Sequence, residues 1–192
     1  MAAVHIQRKT GETEIDLTLD LRGGDVRIDT GVGFFDHMLT AFAVHAGYGL
    51  SVQAKGDLHV DAHHTVEDVG IVLGQALAQS VGDKTAIARY GSFYIPMDEA
   101  LAFACVDISG RAFLHCEAQL KQEKTGEFDT CLAVEFFRAL ANQGGLTLHL
   151  RCLYGENAHH QLEAMFKAAG HALALATAER PGGILSTKGM LE

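Results

Sequence analysis

The chain has 192 residues, is 48% hydrophobic, and carries a formal net charge of -9 with a pI near 5.6. That composition supports a packed core and excludes wholesale disorder, and its negative field disfavours nucleic-acid and anionic-membrane partners. No apolar run approaches the ~18 residues of a membrane span and the N-terminus lacks a secretory h-region, so a cytoplasmic protein with no membrane partner is expected.

In chain order, Val4 to Lys9 reads as a short strand. Glu14 to Leu21 follows, with Ile15, Leu17, Leu19 and Leu21 alternating against polar residues, the period of a strand with one wet face. Val26 to Asp29 is a third strand after the Gly23-Gly24 turn. Phe34 to Ala46 has Phe35, Met38, Leu39 and Phe42 at helical core spacing and Gly47 as a stop. Leu50 to Ala54 is a strand, and His63 to Val81 a second helix.

The order then recurs. Strands are predicted at Tyr90 to Ile95, Leu101 to Ile108 and Ala112 to Glu117. A helix covers about Thr130 to Asn142, a strand Leu146 to Leu153, and a helix about His159 to Ala178. Three strands, helix, strand, helix, occurring twice, is an internal duplication. Phe34-Phe35 is matched to Phe136-Phe137, and Ala62 to Glu67 to Ala158 to Glu163. The expected fold is α+β: two similar halves, 1–88 and 89–180, each a four-stranded sheet with two helices on one face, and a tail from 181 to 192. Cys105, Cys116, Cys131 and Cys152 form no CxxC pair and read as four reduced, buried thiols.

Eleven histidines are present, and they cluster. His63-His64-x-x-Glu67 and His159-His160-x-x-Glu163 each open a predicted helix, where about 0.04 such matches arise by chance at this composition. A single copy reads equally well as a solvated helix cap with an i,i+4 partner. Two copies at equivalent places point to metal. Adjacent helix residues project about 100° apart, so one histidine of each pair joins the glutamate on one ion and the other reaches elsewhere. Two ions, each drawing on both motifs, are therefore expected. Imidazole and carboxylate without thiolate suit Mn, Fe, Co, Ni or Zn, and the missing HExxH order disfavours a zincin protease. His37 is a further candidate ligand. Glu135, a similar distance ahead of the second motif, reads evenly as a ligand or as a surface helix residue.

Phe35 to Leu39, Asp61 to Asp68, Leu153 to His160 and Ser186 to Gly189, in this order, resemble the imidazoleglycerol-phosphate dehydratase family over nearly the whole chain. The resemblance is to the monofunctional form. It implies loss of water from D-erythro-imidazole-glycerol phosphate to give imidazole-acetol phosphate, a step of L-histidine biosynthesis, with two Mn(II) ions per active site. The ligands it implies are His37, His63, His64, Glu67, His159, His160 and Glu163, with Glu135 standing where the family often has histidine. The hydrogen removed is barely acidic, so an electron sink is needed: a metal-bound imidazolate that expels the hydroxyl through a diazafulvene-like intermediate.

By resemblance, Glu12 is an acid/base group, although its pattern alone is that of a solvated strand-edge glutamate; Glu67 and Glu163 take part in catalysis as well as ligation, and His45 contacts substrate. Arg89, Arg111, Lys167 and Lys188, with Ser186 and Gln53, bind the phosphate of a small phosphorylated imidazole. The family further implies a homo-oligomer of 24 subunits built from trimers. A hydrolase or isomerase of another phosphorylated metabolite, a metal-storage protein and a purely structural domain are the alternatives. The storage reading leaves the Arg89, Arg111 and Ser186-Thr187-Lys188 set unused, and the structural one leaves both motifs unused.

Overall fold

The computed structural model describes residues 2–183, 185 and 186. The first half contains β1 (Val4–Lys9), β2 (Thr13–Asp20), β3 (Val26–Asp29), α1 (Gly33–Ala46), β4 (Gly49–Gly56) and α2 (His63–Val81). The second contains β5 (Tyr90–Met97), β6 (Ala100–Asp107), β7 (Phe113–Glu117), the short pair β8 (Lys124–Thr125) and β9 (Phe128–Asp129), then α3 (Leu132–Gly144), β10 (Thr147–Tyr154) and α4 (Ala158–Thr177).

The alternation in β2 does what its period requires: Ile15, Leu17 and Leu19 are buried and the intervening side chains face outward. The sheets have the same connectivity, β1-β2-β4-β3 and β5-β6-β10-β7. In each, the last pair is parallel and the other pairs antiparallel. The duplication read from the sequence is therefore a duplication of topology. The β8–β9 hairpin, absent from the first half, was not anticipated; its strands are too short to show any alternation.

Each sheet is covered on one face by helices, α2 and α1 on the first and α4 and α3 on the second. The helices then meet across the halves, α1 crossing α4 and α2 crossing α3. One continuous apolar core runs through both halves, with Phe35, Phe42, Phe136, Phe137 and Phe166 fully buried. The tightest crossings use glycine. A Cβ on Gly170 would sit 2.5 Å from the Phe42 carbonyl oxygen, and one on Gly74 would sit 2.8 Å from that of Leu140. Gly74 and Gly170 lie equally far past their His-His pairs.

Helix α1 ends on Gly47 and α3 on Gly145, both left-handed at φ 68° and 60°. Counting back equally from these caps aligns Phe35 with Ala133 and His37 with Glu135. The Phe34-Phe35 to Phe136-Phe137 match is thus out of register, a correction: shared residue type outweighed helix phase. The cysteines also differ from expectation. All four are free, but Cys131 is exposed beside the α3 start, Cys105 and Cys116 are half-buried, and Cys152 alone is buried. Among the described residues, no helix is long and apolar enough to cross a membrane.

Candidate active site

The α1–α4 crossing brings three expected ligands together. Nε2 of His37 and Nε2 of His159 each lie 3.1 Å from Oε2 of Glu163. The donor atoms of all three fall within 4.8 Å of one another, and this is the set of three or more such groups found among the described residues. Glu163 is 6% exposed. Burial opposes its charge, but the 2.6 Å contact from Lys167 Nζ to Oε1, together with His37, outweighs that and holds the carboxyl below its usual range. Lys167, expected at the phosphate, is therefore found one helical turn from the ligand cluster.

The α2–α3 crossing carries the counterpart. His63 Nε2 lies 3.6 Å from Glu67 Oε2. Glu135, at the position of His37, is ion-paired with Arg138. The two motifs do not converge within one chain, so an ion that draws on both must draw on more than one copy. The reason lies in the packing: each motif helix faces a helix of the other half rather than the other motif.

His64 and His160 turn away from their neighbours, as the helical angle requires. Asp57 accepts from His64 Nδ1 at 3.0 Å, and Glu99 accepts from His160 Nδ1 at 2.7 Å. These hydrogen bonds raise both imidazole pKa values. They also fix each ring through Nδ1, the arrangement in which a carboxylate orients a histidine for metal ligation through Nε2. Glu99 itself is pulled down to about 2 by the backbone N–H of Asn157, by His160 and by the N–H of Glu156. Asp57 and Glu99 carry no signal in the sequence, since nothing in the spacing ties a loop carboxylate to either motif.

Glu12 Oε2 lies 3.8 Å from His64 Nδ1, so the N-terminal glutamate does reach the first motif. His45 Nδ1 is 3.1 Å from Nε2 of His171, whose one sequence signal is that it continues the i,i+4 series of His159, Glu163 and Lys167.

The expected phosphate residues divide. Arg89 grips Asp107 with Nε at 2.7 Å and Nη2 at 2.9 Å, and donates Nη1 to the Leu185 carbonyl at 2.5 Å. Its backbone is left-handed, φ 75°, uncommon for a residue with a side chain. Arg111 Nη2 is 4.0 Å from Asp107 and mostly exposed. Arg89, Arg111 and the tail approaching Ser186 are thus adjacent, while Lys188 lies outside the described residues. Gln53 is set apart on the outer face of the first sheet, opposite Asp16 and Asp29 in register.

The donor set fits a divalent transition ion: two imidazoles and a carboxylate are gathered, and two more imidazoles are oriented by carboxylates. A family model described as imidazoleglycerol-phosphate dehydratase matches residues 30–173. The chain belongs to the imidazoleglycerol-phosphate dehydratase family. It is 58% identical over 189 residues to that enzyme from Acetivibrio thermocellus, covering 97% of each chain. It is 55% identical over 194 residues to the enzyme from Exiguobacterium sp., covering 100% of each. Among solved structures, the imidazoleglycerol-phosphate dehydratase of Staphylococcus aureus superposes with a TM-score of 0.86 at 44% identity, over 93% of this chain and 100% of that one. The Pyrococcus furiosus protein superposes with a TM-score of 0.86 at 39% identity, over 97% and 100%. The protein is accordingly an enzyme of the dehydratase class, in a family that serves histidine biosynthesis.

Proposed function

We propose that the chain dehydrates D-erythro-imidazole-glycerol phosphate to imidazole-acetol phosphate using two Mn(II) ions held by His37, His63, His64, Glu67, Glu135, His159, His160 and Glu163. The observation that carries this reading is the convergence of His37, His159 and Glu163 at the α1–α4 crossing; His63 and Glu67 on α2 and Glu135 on α3 occupy the helices of the equivalent crossing. Held by these residues, the ions would supply Lewis-acid stabilisation of charge on the substrate and so assist departure of the hydroxyl.

The protein's own groups supply the rest. Glu12, an exposed carboxylate 3.8 Å from His64, is placed to move a proton beside the ligands. Lys167 holds Glu163 Oε1 and leaves Oε2 toward the histidines. Asp57 and Glu99 keep the second histidine of each pair oriented. Arg111, loosely tied to Asp107, is available to a phosphate, and Arg89 fixes the carboxylate beside it.

One chain does not suffice. The Arg89 backbone N–H donates to the Ala176 carbonyl near the end of α4. At 1.5 Å per residue that point is about 20 Å along the helix from Glu163. The substrate extends only about 10 Å from ring to phosphate by standard bond lengths. A ring at one chain's cluster is thus out of reach of the same chain's arginines, which supports sites completed between subunits; an assembly of 24 subunits built from trimers is what the family resemblance implies. The test is turnover of imidazole-glycerol phosphate by protein stripped with chelator. Activity should fall at least ~100-fold and return with Mn(II); full activity in metal-free protein would refute the reading.

A further inference from the structure

His159, Glu163, Lys167 and His171 form a line on one face of α4, each a turn beyond the last. The first two belong to the ligand cluster and Lys167 pairs with Glu163; His171 does neither. Its Nε2 lies 3.1 Å from His45 Nδ1 on α1, and Phe93 of β5 stacks on its ring at 4.2 Å with an interplanar angle of 18°. The ring is held over one face and at one edge.

The duplication supplies a control inside the molecule. In the register set by the helix caps and motifs, the counterparts of His171 and His45 are Gln75 and Gln143. They too are joined, Gln75 Nε2 donating to Gln143 Oε1 at 3.2 Å. Both helix crossings therefore keep a side-chain hydrogen bond at this level. Only the α1–α4 crossing builds it from rings that carry a proton.

We propose that His171 is a positioning residue for the dehydration, holding the His45 imidazole by its Nδ1 so that Nε2 is the nitrogen left to meet substrate. This rests on the reading of His45 as a substrate contact. The contact requires one N–H and one lone pair, so it fixes complementary tautomers on the two rings. The neighbourhood keeps the couple from taking up extra protons. Burial, then Lys167 and His171, hold His45 below the usual histidine range against the pull of Glu163; burial alone lowers His171.

The test is a double-mutant cycle on assembled, Mn(II)-loaded enzyme. His171→Leu should lower kcat/KM about tenfold with metal content unchanged, and His171→Gln, which restores a partner of the kind used in the other half, should recover most of that loss. In a His45→Ala background, His171→Leu should cost less than about twofold, because the residue acts through His45. Should the leucine variant not fold, His171→Ala is read in the same cycle. Equal losses in both backgrounds, a leucine variant as active as wild type, or a glutamine variant as poor as the leucine one would overturn the inference. Wild-type enzyme unable to turn over the substrate would sink the underlying reading, and this inference with it.

Discussion

Glu163 shows how much of a site one carboxylate can organise. Its Oε2 meets two imidazoles and its Oε1 meets Lys167, in a position almost closed to water. Glu163→Gln keeps the shape but removes the charge, so bound Mn(II) per subunit should fall and kcat drop by roughly 100-fold or more. Glu12→Gln is the contrasting case: metal content should stay at the wild-type level while turnover is mostly lost, a pattern that elemental analysis and steady-state assay distinguish. At this scale the sequence was most legible where residues repeat. The paired His-His-x-x-Glu motifs announced themselves by spacing, and His37 by its helix. The Lys167–Glu163 pair was not legible, because charge alone does not say which anions a lysine meets. Asp57, Glu99 and Asp107 act through tertiary contacts that local spacing does not encode.

At the scale of elements, the helix crossings position the ligands, and their closeness depends on glycine. Gly170→Ala places a methyl 2.5 Å from the backbone of α1. The helices must separate, at an expected stability loss of about 2–4 kcal/mol. The same displacement should weaken Mn(II) binding, which thermal unfolding and a metal titration would show together. The loop before α4 is tied by Glu99, whose carboxyl accepts from the N–H groups of Glu156 and Asn157. Its folded pKa, about 2, lies below the ordinary 4.5. The stabilisation is therefore present above 4.5 and is lost as pH falls toward 2. Glu99→Gln should unfold at a lower temperature than wild type at pH 7, with the gap closing in acid; a gap independent of pH would exclude the charge as its source. Strand and helix positions were readable because β2 alternates and the helices keep their apolar spacing. The β8–β9 hairpin was not, being too short for a period, and the Phe-Phe match slipped because residue type carries no helix phase.

For the whole molecule, two copies of one topology share a single core, and their helices exchange partners across the halves. The duplication was visible in the order of elements, whereas the exchange was not, since it depends on how the halves stack. That exchange separates the two motifs within a chain, while the packing of Arg89 at the far end of α4 sets it about 20 Å along that helix from the ligand cluster. If copies complete each other's sites, chelator should reduce the assembly's mass measured by light scattering, and Mn(II) should restore it. The most direct measurement is an anomalous-scattering map at the manganese edge of crystals grown with a substrate analogue. It should show two peaks per chain, each with imidazole and carboxylate ligands drawn from more than one copy. Peaks coordinated wholly within one chain, or an analogue bound far from any peak, would contradict the account.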